Sequence, residues 1–257
     1  MPTALVTGAS SGLGREFARL HARRDRDLVV TARRIDELES LKGELEGAHR
    51  CCVTVVEADL SAPGGVDALW HACEGIDIGV LINNAGFGGH GPFLEQDLDR
   101  SLAMITLNVA TLSALAHRFA APMVARGSGR ILNVGSTAGF LPGPLQAVYY
   151  ATKAYVNSFS QALAEELDGT GVSATLLAPG PIRTGFIEAA DLDGLSVFEH
   201  AAEPATVARA GYEAMMRGEL VCIDDRRLAA MSRVLGLLPR SAVLKLSRRS
   251  MTKSADA

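Results

Sequence analysis

The chain has 257 residues, a formal net charge of −4 and 48% hydrophobic residues. That is enough for one large core, and it lacks the basic excess of a nucleic-acid-binding face. The apolar residues fall in short runs, so no uninterrupted stretch of roughly 20 predicts a membrane span, and no basic-then-apolar secretory leader opens the chain.

Predicted elements begin at once. Short Val-, Leu- and Ile-rich runs over 3–7, 28–32, 52–57, 79–83, 130–134 and 172–178 read as strands, with 220–223 as a candidate seventh. They lack polar alternation, as strands buried on both faces of a parallel sheet do. Helical periods lie between them. Leu13, Phe17 and Leu20 make one stripe. Ile35, Leu38, Leu41 and Leu45 make another, opened by Asp36 and Glu39 in capping-box form. The longest predicted helix covers 97–126, where Leu98, Leu102, Ile105, Val109, Leu112, Ala116 and Phe119 trace one regular face. Met104, Leu107, Ala114 and Leu115 make it apolar elsewhere too, so two covering surfaces are expected. A helix over 149–167 carries Ala151, Ala154, Ser158 and Ala162 along one flank. These two helices either pack within the chain or form the boundary of a homodimer or homotetramer.

Strand–helix alternation of this length predicts an α/β fold: a Rossmann-type, doubly wound parallel sheet of about seven strands with helices on both faces. Residues 1–223 are read as one catalytic domain that includes a substrate lid at about 185–203. Residues 224–257 form a C-terminal extension rich in Arg and Lys (Arg226, Arg227, Arg233, Arg240, Lys245, Arg248, Arg249, Lys253) among Leu and Val. It would cover the substrate pocket or a subunit boundary, or lie on an anionic membrane surface. Four cysteines without a CxxC read as reduced thiols of a cytoplasmic protein. No histidine stands at metal-ligand spacing, so no metal is expected.

The first predicted strand runs into Thr7-Gly8-Ala9-Ser10-Ser11-Gly12-Leu13-Gly14 and then a helix. Glycines allow a tight turn against a pyrophosphate, and the helix N-terminus offers free N–H groups and positive potential. Asn83-Asn84-Ala85-Gly86 ends the fourth strand, and Asn108 lies midway along the long helix. Ser136 follows the fifth strand, with Tyr149 thirteen residues later and Lys153 four beyond that. Pro179-Gly180-Pro181-Ile182-Arg183-Thr184 follows the sixth. Residues i and i+4 share a helix face, so Lys153 lies beside Tyr149. A neighbouring ammonium lowers a phenol's pKa, which would fit Tyr149 for acid/base work. Ser136 could hold a substrate oxygen as charge develops on it. Tyr150 and Tyr155 are decoys, since Ala154 and Phe159 stand four residues beyond them.

In order and spacing these motifs resemble the short-chain dehydrogenase/reductase family in its compact form. The resemblance implies hydride transfer between a nicotinamide dinucleotide and a carbonyl or alcohol. It implies Asn108, Ser136, Tyr149 and Lys153 as catalytic residues, with Asn108 in a proton relay and Lys153 also on the nicotinamide ribose. Cofactor contacts are expected from Gly8, Ser10, Ser11, Gly12, Leu13 and Gly14. Asp59 and Leu60 match the adenine contact. Asn83, Ala85 and Gly86 come from the fourth strand end, and Pro179, Gly180, Ile182 and Thr184 from the sixth. After the second strand the chain reads Ala32-Arg33-Arg34, with no carboxylate for a ribose 2′-hydroxyl. A guanidinium at Arg33 can pair with a 2′-phosphate, so NADP(H) is the expected cofactor. Arg34 is either a second contact or a surface charge. Phe87, Phe93, Phe140, Leu141, Leu145, Phe186, Ile187, Leu192, Leu195 and Phe198 predict an apolar substrate pocket or a packed lid. The competing readings are a catalytically silent dinucleotide-sensing protein, and an epimerase or dehydratase of nucleotide sugars.

Overall fold

The strands are β1 Thr3–Thr7, β2 Leu28–Ala32, β3 Val53–Glu57, β4 Ile78–Asn83, β5 Gly129–Val134, β6 Val172–Leu177 and β7 Val221–Cys222. In this computed structural model, which describes residues 2–198, 201–225, 227–230 and 238–252, they form one sheet in the order β3-β2-β1-β4-β5-β6-β7. Every pairing is parallel. The chain winds outward from β1 to β3, then crosses back to β4. That reversal between β1 and β4 opens a crevice at the strands' carboxyl ends, where ligands of open α/β sheets bind.

Helices α1 Gly12–Ala22, α2 Ile35–Ala48 and α8 Pro204–Arg217 bury Phe17, Leu38, Leu41, Leu45, Val207 and Met215 on one face of the sheet. Helices α3 Gly65–Ala72 and α5 Leu112–Arg126 bury Leu69, Leu115, Phe119 and Met123 on the other, with half-buried Leu163 of α6 Ala147–Glu166 packed against them. Each fully buried Leu or Phe stabilises the fold by ~1.5–3 kcal/mol. Within the first face, His21 of α1 meets Tyr212 of α8 through a 2.8 Å hydrogen bond between Nδ1 and the phenol.

Two helical expectations change. The predicted regular helix over 97–126 is α4 Leu98–Ile105, a π turn at Thr106–Thr111 and then α5. Side-chain periodicity cannot reveal such a turn, because one widened ring barely disturbs an apolar stripe. By length and composition, the continuous helix Leu98–Arg126 would suffice to cross a membrane, contrary to the sequence expectation; here Leu112, Leu115, Phe119 and Met123 are spent on the sheet. The capping box at Asp36 is also not made, since α2 is capped by Arg34 with no side-chain cap bond. Asp97 caps α4 instead, accepting from Arg100 N at 3.1 Å.

The lid contains the short helix α7 Phe186–Ala189 and is closed at its base, where Arg183 N donates to Ala202 O and Ala202 N to Pro181 O, both at 2.9 Å. Glu199 and His200 of the lid, and Arg226, Arg233 and Lys253 of the extension, lie outside the described residues. The last described helix, α9 Arg240–Ser250, turns Val243 and Ser247 inward, and Met251 just beyond it packs on the lid's Leu192 and Leu195. His90, after β4, holds this end: its Nε2 is 2.8 Å from Met251 O.

Candidate active site

Gly8 and Gly12 take left-handed backbone, φ +67° and +54°. A side chain at Gly8 would place Cβ 2.9 Å from Asn84 Nδ2, and one at Gly14 would collide with the Gly8 carbonyl. The loop thus lets α1 start hard against the end of β1. Ser11, the N-cap, makes no side-chain cap bond, which leaves the first-turn amides of α1 to other partners. Thr7 ties the crevice together: its Oγ1 accepts from Asn84 N at 3.0 Å and Ala85 N at 2.9 Å.

Gly8, Ser10, Ser11, Gly12 and Leu13 line a cleft of about 860 Å³. Arg33, Asp59, Leu60, Ala85, Gly86, Pro179, Gly180, Ile182 and Thr184 line it too. Gly14 and Asn83 do not. Gly14 is a packing glycine. Asn83 is buried under the sheet, where Nδ2 donates to Asn133 Oδ1 at 3.0 Å and Asn133 passes the chain to Ser160. The lining residue is its neighbour Asn84, because successive residues of a strand point oppositely. At the end of β2, Ala32 presents no carboxylate, and Arg34 Nη2 donates to Ser10 Oγ at 3.1 Å. The Ser61 hydroxyl and amide hold the Asp59 carboxyl below its ordinary pKa, with a smaller push from Arg33.

At the other end of the cleft stand Ser136, Tyr149 and Lys153. Asn157 clamps Ser136 from α6: Nδ2 donates to Ser136 O at 2.9 Å, and Ser136 N donates to Asn157 Oδ1 at 3.4 Å. Sequence reading passed over Asn157, although its place one turn beyond Lys153 is a usable signal. Burial pushes the Tyr149 phenol up from its ordinary value, and a hydrogen bond with Ser136 pulls it back. The expected lowering by Lys153 is not seen in this arrangement. Lys153 Nζ lies 5.9 Å from the Tyr149 ring centroid and donates to Val134 O at 2.8 Å. Burial itself lowers the Lys153 ammonium to about 8.

Asn108 sits in the π turn, behind Gly86 rather than on the cleft wall. Its Oδ1 accepts from Phe87 N at 3.2 Å, and its Nδ2 donates to Phe87 O at 3.0 Å and Thr152 Oγ1 at 3.1 Å. Thr152 Oγ1 in turn donates to Tyr149 O at 2.7 Å. Asn108 therefore joins the loop after β4 to the helix that carries Tyr149 and Lys153.

The apolar wall comes from Phe87, Leu141, Phe186, Leu192 and Phe198, with Val243, Leu246 and Met251 from the extension. Leu145, Ile187 and Leu195 pack behind it, Phe140 packs instead with Leu112, Val156 and Leu176, and Phe93 points to solvent at 58% exposure. Among the described residues no group of His, Cys, Asp and Glu could hold a metal ion.

The sequence profile described as short chain dehydrogenase matches residues 2–193. The chain belongs to the short chain dehydrogenase family. This short chain dehydrogenase is 42% identical over 186 residues to a sulfoacetaldehyde reductase of Chromohalobacter salexigens, covering 70% of this chain and 72% of that one. It is 33% identical over 185 residues to the very-long-chain 3-oxoacyl-CoA reductase of Bos taurus, covering 70% of this chain. It spans only 59% of that reductase and 58% of the one from Rattus norvegicus. Among solved structures, a short-chain dehydrogenase from Sphingobium yanoikuyae in complex with NADPH superposes with a TM-score of 0.85 at 34% identity, covering 100% of this chain and 98% of that one. A bulky-bulky ketone specific alcohol dehydrogenase from Comamonas testosteroni gives 0.82 at 30% identity, covering 100% and 97%.

Proposed function

We propose that this short chain dehydrogenase is an NADP(H)-dependent oxidoreductase acting on an apolar carbonyl or secondary alcohol. The observation that carries the reading is the convergence of Ser136, Tyr149 and Lys153 on one end of a cleft whose other end is the glycine loop. The glycine loop fits a dinucleotide, because it lines the cleft and leaves the first-turn amides of α1 without a side-chain cap. Ala32 offers no charge to repel a 2′-phosphate, and the Arg33 and Arg34 side chains supply guanidinium groups beside Ser10. When bound, the cofactor supplies or accepts the hydride.

Tyr149 gives a proton to the substrate oxygen in reduction and takes one in oxidation. Burial keeps its phenol protonated, the form a general acid needs. Ser136 holds the same oxygen through its hydroxyl. Lys153 holds the nicotinamide ribose and lends positive charge below pH 8. Asn108, held by Phe87 and Thr152, supports a water through which protons pass to solvent. The apolar wall selects a substrate with little charge near the reacting carbon.

Leu98, Leu102, Ile105 and Tyr155 leave α4 and α6 exposed by 64%, 51%, 42% and 40%, which supports a homodimer or homotetramer built on that face. The four free cysteines fit a reducing cytoplasm. The position of α9 over the cleft favours the covering role for the extension; contact of its outward Arg and Lys residues with an anionic membrane is a second use.

The reading is tested by following NADPH consumption over a panel of ketones and aldehydes. Tyr149→Phe should keep NADPH binding and lose roughly 10²–10⁴ in turnover. Undiminished turnover would remove Tyr149 from this role.

A further inference from the structure

Tyr150 has no cation one turn away, yet it is not idle. Its side chain is 6% exposed, its ring packs on Gly143, and it lines the cleft beside Tyr149, ring centroids 6.2 Å apart. Ser247, 3% exposed on α9, lines the same cleft. These two hydroxyls interrupt a wall otherwise built from Leu141, Leu192, Val243, Leu246 and Met251.

A buried hydroxyl is costly unless its hydrogen-bonding capacity is met. Each hydroxyl can donate one hydrogen bond and accept others. Among the described residues, Ser247 Oγ is buried without a hydrogen-bond partner. A ligand oxygen in the cleft beside Tyr150 and Ser247 would answer it.

We propose that Tyr150 and Ser247 form a second anchoring point for the substrate, which is a bulky apolar ketone or alcohol bearing another neutral oxygen, a hydroxyl or carbonyl. The inference rests on the reaction proposed above, since it takes Tyr149 and Ser136 as the place of the reacting oxygen. The 6.2 Å between the tyrosine rings puts the second oxygen several bonds from the reacting carbon. The anchor also gives the C-terminal helix a purpose beyond exclusion of water: it carries half of the recognition pair, and His90 fixes its end.

The test uses two matched bulky ketones, one plain and one with a distal hydroxyl. Their affinities are measured by calorimetry on the full chain, with and without NADP+, so that the result is read whether or not turnover occurs. The hydroxylated ketone should bind about tenfold more tightly than the plain one, the scale of one good neutral hydrogen bond. Tyr150→Phe and Ser247→Ala, each losing only a hydroxyl, should shrink that ratio towards one. A ratio near one in the unaltered chain, or a ratio that survives both substitutions, would overturn the proposal. Absence of turnover in the unaltered chain, with its affinity ratio near tenfold, would instead count against the proposed reaction.

Discussion

Arg34 reaches back across the crevice to the glycine loop, its Nη2 3.1 Å from Ser10 Oγ. The end of β2 and the start of α1 are thereby joined by a guanidinium beside Arg33, in the corner to which the proposed 2′-phosphate pairing is assigned. Arg33→Ala and Arg34→Ala should each weaken NADPH at least tenfold more than NADH, since only NADPH brings the 2′-phosphate that a guanidinium pairs with. Fluorescence titration of both cofactors checks this. Equal losses for the two would sink the phosphate assignment.

Arg100 straps the lid. Its Nη2 donates to Ala189 O, the last carbonyl of α7, at 2.7 Å and to Gly88 O at 3.3 Å, and its guanidinium lies 5.2 Å from the Phe87 ring centroid. Phe87 and Ala189 both line the cleft. Arg100→Ala should raise KM for the carbonyl substrate roughly threefold to tenfold, the loss expected for one or two hydrogen bonds, with NADPH affinity kept. Steady-state kinetics separate the two effects. A variant whose NADPH affinity falls as far as its KM rises would show general damage instead of a loosened lid.

Lys153 should leave a pH signature in stability. Burial lowers its ammonium from 10.5 to about 8. Between those values the unfolded chain keeps a proton that the folded chain has released, so this group makes stability rise with pH across that window. Below pH 8 both states hold the proton, and the cost of burying it is complete. Lys153→Met should therefore melt roughly 2 °C or more above the unaltered chain at pH 7, with the gain shrinking from pH 8 to 10. Thermal unfolding across that range tests it. A gain independent of pH would contradict the assignment.

The His21–Tyr212 pair should sensitise the fold to acid. Burial, helped by Arg26 and Arg24, lowers His21 from 6.5 to about 4. Between those values the unfolded chain takes up a proton that folded His21 refuses, so stability falls as pH drops through the window. Replacing both residues with Phe removes the titrating ring and its partner together. The melting temperature of the double variant should fall less between pH 6.5 and 4.5 than that of the unaltered chain. Equal falls would exclude His21 from the acid response.

The local parts of this architecture were readable from the chain. Gly8 and Gly12 announce a left-handed turn, because only glycine adopts that backbone without strain, and Tyr149 with Lys153 announces one helix face. The strand cores were equally plain, with one end differing from expectation by a single residue at β3, β4, β5 and β6, and both ends of β7 by one. Sidedness was harder. Whether Asn83 or Asn84 faces the crevice depends on sheet register, and the buried chain to Asn133 and Ser160 is assembled from three elements. The partner of Lys153 is a main-chain carbonyl at Val134, and carbonyls carry no sequence label. Phe93 and Phe198 look alike in composition, yet one meets solvent and the other lines the cleft. Tyr150 has no cation one turn on to mark it, and Ser247, which lines the cleft with it, comes from a helix nearly a hundred residues later.

The widened turn at Thr106–Thr111 sets the angular phase between α4 and α5. An α-helix advances about 100° per residue, so removing one residue from that turn would swing Leu98, Leu102 and Ile105 round the axis relative to Leu112 and Phe119. The outward apolar stripe and the inward one would then fall out of step. Insertions and deletions should accordingly be far rarer here in natural variants than in the connections between strands.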